Sequence, residues 1–430
     1  MKLAKSLLLG SAAGLVAVTG AQAADLPVRA AAPVEYVRTC PNAPIGGTGF
    51  FVIPGTETCL QISGYVRAEY RFSENNDYTV EREQNDIDFF ARGSIAFDAR
   101  TATEFGTLRS FIRINANSTN DATDAVLDQA FIQFAGLTAG RITSFFSFFG
   151  GNLMSGSNGL SDPSTEVLAY TATFGSGFSA TISIEDAFAR RNGIRASTAA
   201  GLDNLEGGQE LPGLVANLNV AQAWGSAQVM GALHQVRHNQ PGVAVDDELG
   251  WAVGAGVNIR LPMIAAGDAL WLQAVYADGA VSYADAPSAV AEFNLGLNDA
   301  YLNAAGTSLV TTEAWSIAAA FRHFWTPTIW QDIQGAYGEV DVPTTAAGFV
   351  AAPGVVVRGT AVDYTWWQAG TRLNWRPVSG LTFSADVVYT SIDPDNPVRA
   401  YNNGNLVLPA TVVNNDGSTW AGRLRIQRDF

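Results

Sequence analysis

The sequence predicts an all-β fold, a 16-stranded antiparallel transmembrane β-barrel with short periplasmic turns and long extracellular loops. Three observations lead to it. Apolar and polar residues alternate with a period of two in segment after segment. The connectors between these segments fall into a short class and a long class that alternate along the chain, and the last alternating segment runs to the final residue, Phe430.

The segment CLQISGYVRAEYRF, residues 59–72, sets the pattern. Leu60, Ile62, Gly64, Val66, Ala68, Tyr70 and Phe72 share one parity; Gln61, Ser63, Tyr65, Arg67, Glu69 and Arg71 share the other. A pleated strand gives each set its own face. The pattern returns in DFFARGSIAFDAR (88–100), GTLRSFIRINAN (106–117) and LTFSADVVYT (381–390). Further segments start near Gln129, Leu137, Glu166, Phe178, Leu214, Ala227, Leu249, Ala269, Glu313, Trp330, Thr365 and Thr419, which brings the total to sixteen. Alternation by itself does not say which face is wet. A soluble sheet buries its apolar face, whereas a large transmembrane barrel turns that face to lipid and keeps water inside.

The connectors and the C-terminus decide. TATEFG, GSG at 175–177, WGS at 224–226, LPMIAAGD, WTPT at 325–328 and RPVSG at 376–380 are tight turns rich in Gly and Pro. Between them lie long stretches at 73–85, 146–164, 186–212, 279–311, 339–362 and 393–418. Short turns at one end and long loops at the other are how outer-membrane barrels are connected. In TWAGRLRIQRDF, Trp420, Gly422, Leu424, Ile426 and Phe430 oppose Ala421, Arg423, Arg425, Gln427 and Asp429, and Arg428 interrupts the apolar parity where a long side chain can snorkel to the rim. A strand edge left open in lipid has unsatisfied backbone groups, so this last strand must pair with the first. Closure turns the apolar face outward and points Arg67, Glu69 and Arg71 into water. Aromatics such as Tyr70, Trp251, Trp315, Trp367, Tyr389 and Trp420 sit at strand ends, where interfacial girdles belong.

Residues 1–23 read as a signal peptide. Lys2 and Lys5 precede the apolar run 7–18, and Ala21-Gln22-Ala23 supplies a small-x-small cleavage site. That run is short of the ~20 residues a helical span requires. Residues 24–58 read as an N-terminal periplasmic segment and 59–430 as the barrel. With no composition shift or linker after residue 58, one continuous architecture accounts for the 407 residues that follow the leader.

The formal charge is −15, and −17 once Lys2 and Lys5 leave with the leader. So acidic a chain excludes nucleic acid as a partner. The three histidines, His234, His238 and His323, have no Cys or acidic partner at ligand spacing, so neither metal nor cofactor is expected. There is no G-x-S-x-G, and no catalytic residue is assigned. Cys40 and Cys59 are the only cysteines; in an exported chain a pair is expected to bridge, with two free thiols as the alternative.

EYVRTC, GFFVIPGTETCLQISGYVRAEY and AFIQFAGLTAGRITSFFSFF, with the terminal strand ending on Phe430, closely resemble the general diffusion porins of alphaproteobacteria. The resemblance covers essentially the whole chain after the leader. It implies a homotrimer in the cell outer membrane, among lipid and lipopolysaccharide, that passes small hydrophilic solutes and ions. It also implies that Phe430 is the signal read by the barrel-assembly machinery, and that the third long loop, FSFFGGNLMSGSNGLSDPSTEV, folds into the barrel. The loop's own composition agrees, since Phe145, Phe146, Phe148, Phe149, Leu153 and Met154 would be out of place in solvent.

Selectivity in such a channel comes from charges at its narrowest section. Strand direction brings Arg67, Arg92, Arg109, Arg113 and Arg141 near mid-height on neighbouring strands, a basic wall that Arg423 and Arg425 extend through closure. Asp162 and Glu166, the loop's only acids, are expected to face that wall across the constriction. Asp162 has an alternative use in the Asp-Pro-Ser turn, and Glu166 in the following strand. The acidic outer loops concentrate cations at the mouth and the arginines oppose them; cation preference is the expectation. A substrate-specific channel, an adhesin and an outer-membrane hydrolase remain as other uses for such a barrel.

Overall fold

In the computed structural model the alternating segments are strands, and the sheet they form closes on itself. The structure describes residues 39–40, 46–74, 86–120, 122–196, 205–239, 245–287, 289–290, 293–294, 297–303, 305–343, 363–395, 401–402, 405–406 and 417–430. The expected leader at 1–23, and residues 24–38 and 41–45 of the segment after it, lie outside these. The barrel falls within the compact unit Cys40–Phe430.

Sixteen long strands make the wall: β1 (Cys59–Ser73), β2 (Ile87–Thr103), β3 (Gly106–Thr119), β4 (Ala122–Phe134), β5 (Leu137–Thr143), β6 (Ser164–Gly175), β7 (Phe178–Glu185), β8 (Gly213–Gln222), β9 (Gly225–Val236), β10 (Glu248–Arg260), β11 (Ala269–Asp278), β12 (Glu313–Thr326), β13 (Ile329–Asp341), β14 (Tyr364–Val378), β15 (Leu381–Pro394) and β16 (Gly417–Asp429). Each pairs antiparallel with the next, and β16 returns to β1 in a register that runs from Tyr65 opposite Asp429 to Ser73 opposite Ala421. The Phe430 N–H donates to the Gly64 carbonyl at 3.0 Å and the Gly64 N–H donates to the Phe430 carbonyl at 3.1 Å, so the last residue seals the seam. No edge strand is left in the wall, which is the condition for a sheet to sit in lipid.

The faces sort by parity. Val66 is 60% exposed and Leu424 57% on the outer surface, whereas Glu69 on the opposite parity of β1 is 4% exposed. Outer aromatic pairs mark two rims. Tyr70–Phe89, Trp251–Tyr276, Trp315–Tyr337 and Trp367–Tyr389–Trp420 lie toward the long loops, and Phe105–Phe134 and Trp375–Phe383 toward the short turns. Amphipathic rings favour those two depths of a bilayer.

Turn chemistry fixes the short end. Gly177 has φ +82, and a Cβ there would come within 2.0 Å of the Ala221 carbonyl oxygen, so the tight β6–β7 turn requires glycine. One connector differs from the expected alternation of lengths. The β3–β4 link at the long-loop end is only residues 120–121, with Asn120 at φ 48, so β4 begins at Ala122 and not near Gln129. Residues 122–128 include Val126 and Leu127, both exposed, and parity breaks at Asp128, which a register shift opposite Arg113 and Ile114 leaves as an extra residue.

The apolar core sits inside the lumen, between the wall and the loops that fold into it. Phe146, Leu160, Tyr283, Tyr301, Tyr364 and Trp366 are its largest members, all buried to within 2%. Over the long-loop end, Ile194–Ala196 runs parallel to Ala300–Leu302, which pairs in turn with Leu309–Thr311.

Candidate pore constriction

Loop 144–163 crosses the lumen from β5 to the far wall. Its neck is closed where the Ser144 N–H donates to the Pro163 carbonyl at 3.0 Å. It then rests on wall side chains in strand order. Asn217 of β8 donates to the Phe145 carbonyl at 2.6 Å, and Gln228 of β9 to the Ser147 carbonyl at 3.2 Å. Phe148 lies against Gly256 of β10, where a Cβ would meet the ring at 2.2 Å; Phe149 stacks on Trp271 of β11 with centroids 5.1 Å apart. The Asn152 N–H donates to Gln334 at 2.9 Å, and Arg372 donates to the Asn152 carbonyl at 3.0 Å. At the tip, Asp386 of β15 accepts the N–H of Ser155 at 2.8 Å, that of Met154, and the Ser155 hydroxyl at 2.6 Å. Among the described residues, none of the loop's hydrogen bonds reaches β16 or β1–β3.

That bare wall carries the arginines. Arg67 and Arg92 are direct register partners on β1 and β2; Arg67 donates to Gln427 at 2.8 Å, and Arg92 donates to Asn117 at 2.7 Å. Nearer the short-turn rim, Arg109 holds Asp98 through two bonds of 3.0 Å, and Asp98 also takes Arg100. Arg113 lies 3.6 Å from Asp128. Arg67, Arg92, Arg109 and Arg113 therefore all stand on the lumen face.

Arg141 and Glu166 do not, which corrects the sequence expectation. They are register partners on β5 and β6 and form an ion pair at 3.0 Å. Leu137 on the parity of Arg141 and Leu168 on that of Glu166 are exposed outward, while Ile142 packs inward with Ala96, Phe111 and Phe131. Alternation through LTAGRIT puts Arg141 outside; the expectation rested on its mid-height position, because the small residues of LTAGRIT give a weak parity signal. Asp162 remains on the lumen side, lining a cavity of about 510 Å³ with Gln129, Phe145, Phe148, Asn217 and Gln228.

The sequence reading missed how the charges combine. Glu69, whose side chain is fully buried, takes Arg425 at 2.6 Å, Arg71 at 2.7 Å, Arg423 at 3.4 Å and Arg67 at 3.8 Å. One register row across β14, β15, β16 and β1 reads Arg372, Asp386, Arg423, Arg71. The loop tip, bound to Asp386, thus sits on the arginine row. Asp332 pairs with Arg322 at 2.7 Å, and Arg322 also reaches Asn152. Parity placed Arg67, Glu69, Arg71, Asp386, Arg423 and Arg425 on the wet face; their convergence depends on inter-strand stagger, which no single segment encodes.

A second cluster holds the loop from above. The Leu160 N–H donates to Asp285 at 3.1 Å and the Gly159 N–H donates to the Asp285 carbonyl at 3.0 Å. Arg190 donates to Ser161 and lies 4.2 Å from the centre of the Tyr283 ring. Burial pushes the Asp285 carboxyl up to about 7, with the Leu160 N–H opposing the rise. At the short-turn end, Cys40 and Cys59 are joined by a disulfide with Cα atoms 5.8 Å apart. Phe50 packs on both, and the Arg100 guanidinium lies 4.7 Å from its ring centre.

Comparison with known proteins agrees with this architecture. Porin Omp2b of Brucella suis biovar 1 is 35% identical over 294 residues, covering 64% of this chain and 74% of that porin, and Porin Omp2b of Brucella canis matches to the same extent. The crystal structure of the outer membrane channel DcaP of Acinetobacter baumannii superposes with a TM-score of 0.61 at 15% identity, covering 87% of this chain and 97% of that one, a likeness of fold. The pattern of the porin subfamily matches residues 25–418, nearly the full length of the barrel, and the chain belongs to that subfamily as an outer-membrane diffusion channel.

Proposed function

We propose that passage through this channel is controlled at one height of the lumen, where loop 144–163 stands against the arginine wall. Small hydrophilic solutes and ions pass between the two. The observation that carries the reading is the one-sided anchoring of the loop: it is bonded to β8, β9 and β13–β15 and leaves β16 and β1–β3 bare. Arg67 and Arg92 form the basic side, with Arg109 and Arg113 toward the short-turn rim, and Asp162 is the loop acid on the lumen side. Single-channel recording tests this. Replacing 147–158 by a short Gly-Ser link is expected to raise unit conductance and admit larger sugars in liposome swelling. Unchanged conductance would place the narrowest section elsewhere.

We further propose that the channel works as a homotrimer whose contact lies over β3–β6. The support is the outward ion pair of Arg141 and Glu166: an arginine facing lipid at mid-membrane costs ~2–4 kcal/mol, which a second copy over this face removes. Openings should come in threes, and Arg141→Ala with Glu166→Ala should change the temperature at which trimers dissociate on unheated gels. Residues 1–23 serve as a leader removed on export, the remaining outer belt meets lipid and lipopolysaccharide, and Phe430 is the residue the barrel-assembly machinery recognises. Deleting Phe430 should lower the amount of barrel in the outer membrane.

A further inference from the structure

The bare wall carries far more positive charge than its acids balance. Four guanidinia, those of Arg67, Arg71, Arg423 and Arg425, share the single carboxylate of Glu69 as their ion-pair partner, an excess of three positive charges over that acid. Arg92 adds another: it stands directly opposite Arg67, and among the described residues no carboxylate lies within ion-pair distance of it. The remaining nearby acids are engaged. Asp386 accepts from the loop tip and its charge is divided between its two register neighbours, Arg372 and Arg423, while Asp332 is held by Arg322 and Asn374. Asp88, the register partner of Arg71, forms no ion pair among the described residues. The buried Nε of Arg423 finds no acceptor.

Like charges placed directly opposite each other on neighbouring strands destabilise a sheet. Arg67 and Arg92 bear this cost in the wall that borders the constriction. An anion between them removes it. Guanidinium groups are planar and donate through paired N–H groups, a shape that fits a carboxylate or a phosphate better than a spherical ion.

We propose that Arg67 and Arg92, together with Arg425, form a binding station for small oxyanions inside the pore, and that the channel prefers anions although the chain as a whole is strongly acidic. The inference rests on the constriction reading above. Field focusing in a narrow low-dielectric passage lets local charge outweigh net charge, because the outer loops act through salt-screened water and the station acts at contact. Loop 144–163 contributes one lumen-facing acid, Asp162, against this cluster.

The test is the reversal potential of the intact channel in a KCl gradient, with inorganic phosphate and succinate as added probes. Chloride is expected to be more permeant than potassium, and either oxyanion should reduce chloride current at concentrations well below that of the chloride. Arg67→Gln with Arg92→Gln should keep conductance steps, lower the chloride-to-potassium ratio by about threefold or more, and abolish the block. Glu69→Gln, which keeps shape and removes the one counter-charge, should move the ratio the other way. Block by phosphate alone would identify a phosphate station, and block by both a general oxyanion site. A potassium-preferring wild type, or a double variant with an unchanged ratio, overturns the proposal while leaving the pore intact. Absence of conductance steps would overturn the pore reading itself.

Discussion

Asp386 on β15 holds the tip of the pore loop: its Oδ2 accepts the Ser155 N–H at 2.8 Å and its Oδ1 the Ser155 hydroxyl at 2.6 Å. The two residues are 231 positions apart in the sequence. A carboxylate that accepts from backbone N–H groups makes hydrogen bonds worth ~1.5–3 kcal/mol each. Asp386→Ala should therefore free the tip, with the barrel intact by its gel mobility, and give noisier open-channel current. Asp386→Asn should fall between.

The same loop is held by packing at its other end. Leu160 and Phe146 are buried to 2% and 0% among Tyr283, Tyr301 and Trp366. Leu160→Ala removes methyl groups from a closed core and should cost ~2–5 kcal/mol of loop docking. Limited proteolysis within 144–163 should become measurable in this variant under conditions where the wild type is resistant, with the wall strands uncut in both.

Acid should tighten the clamp between the loop and residue 285. The ordinary value for an aspartate is 3.8, and burial raises Asp285 to about 7, with Asp162 adding to the rise and Leu160 N–H and Arg190 opposing it. The docked state thus keeps its proton over a range in which the undocked acid has lost it. Its stabilising contribution is full below the ordinary value and is lost as pH rises toward 7. Open-channel noise should be lower at pH 5 than at pH 8. Asp285→Asn, which cannot ionise, should give equal noise at both.

Reduction should weaken the short-turn end without opening the wall. The Cys40–Cys59 bridge closes a sequence separation of 19 residues, a loop length that gives about 3 kcal/mol by the chain-entropy account. Reduced protein should show faster proteolysis in 41–58 and unchanged heat-modifiable mobility of the barrel.

Period-two alternation made the wall legible because a strand imposes it residue by residue. β1, β2, β3 and β15 follow it, and so the wet side chains of Arg67, Arg92 and Asp386 could be assigned without coordinates. Two kinds of information were absent. Where a bulge breaks the pleat, as beside Asp128, local parity no longer reports the face, and β4 starts seven residues before its apolar pattern does. Contacts made across the lumen depend on loop path and stagger. The hub at Glu69 draws on β1 and β16, and the loop tether draws on β15; no window of adjacent residues contains either. Arg141 was legible and misjudged, since Leu137 and Ala139 already fix its side.

The seam between β16 and β1 has a consequence for how the molecule comes into being. Arg67 and Gln427, bonded at 2.8 Å, are 360 residues apart, so the wall is completed only when β16 meets β1. Loop-closure entropy rises only slowly with length, but it is met before the seam's contacts can return it. A chain missing its final strand would hold two raw edges, each with unpaired backbone groups that hydrocarbon cannot solvate. Completeness is thereby built into membrane insertion: without β16 there is no closed wall to place in the bilayer.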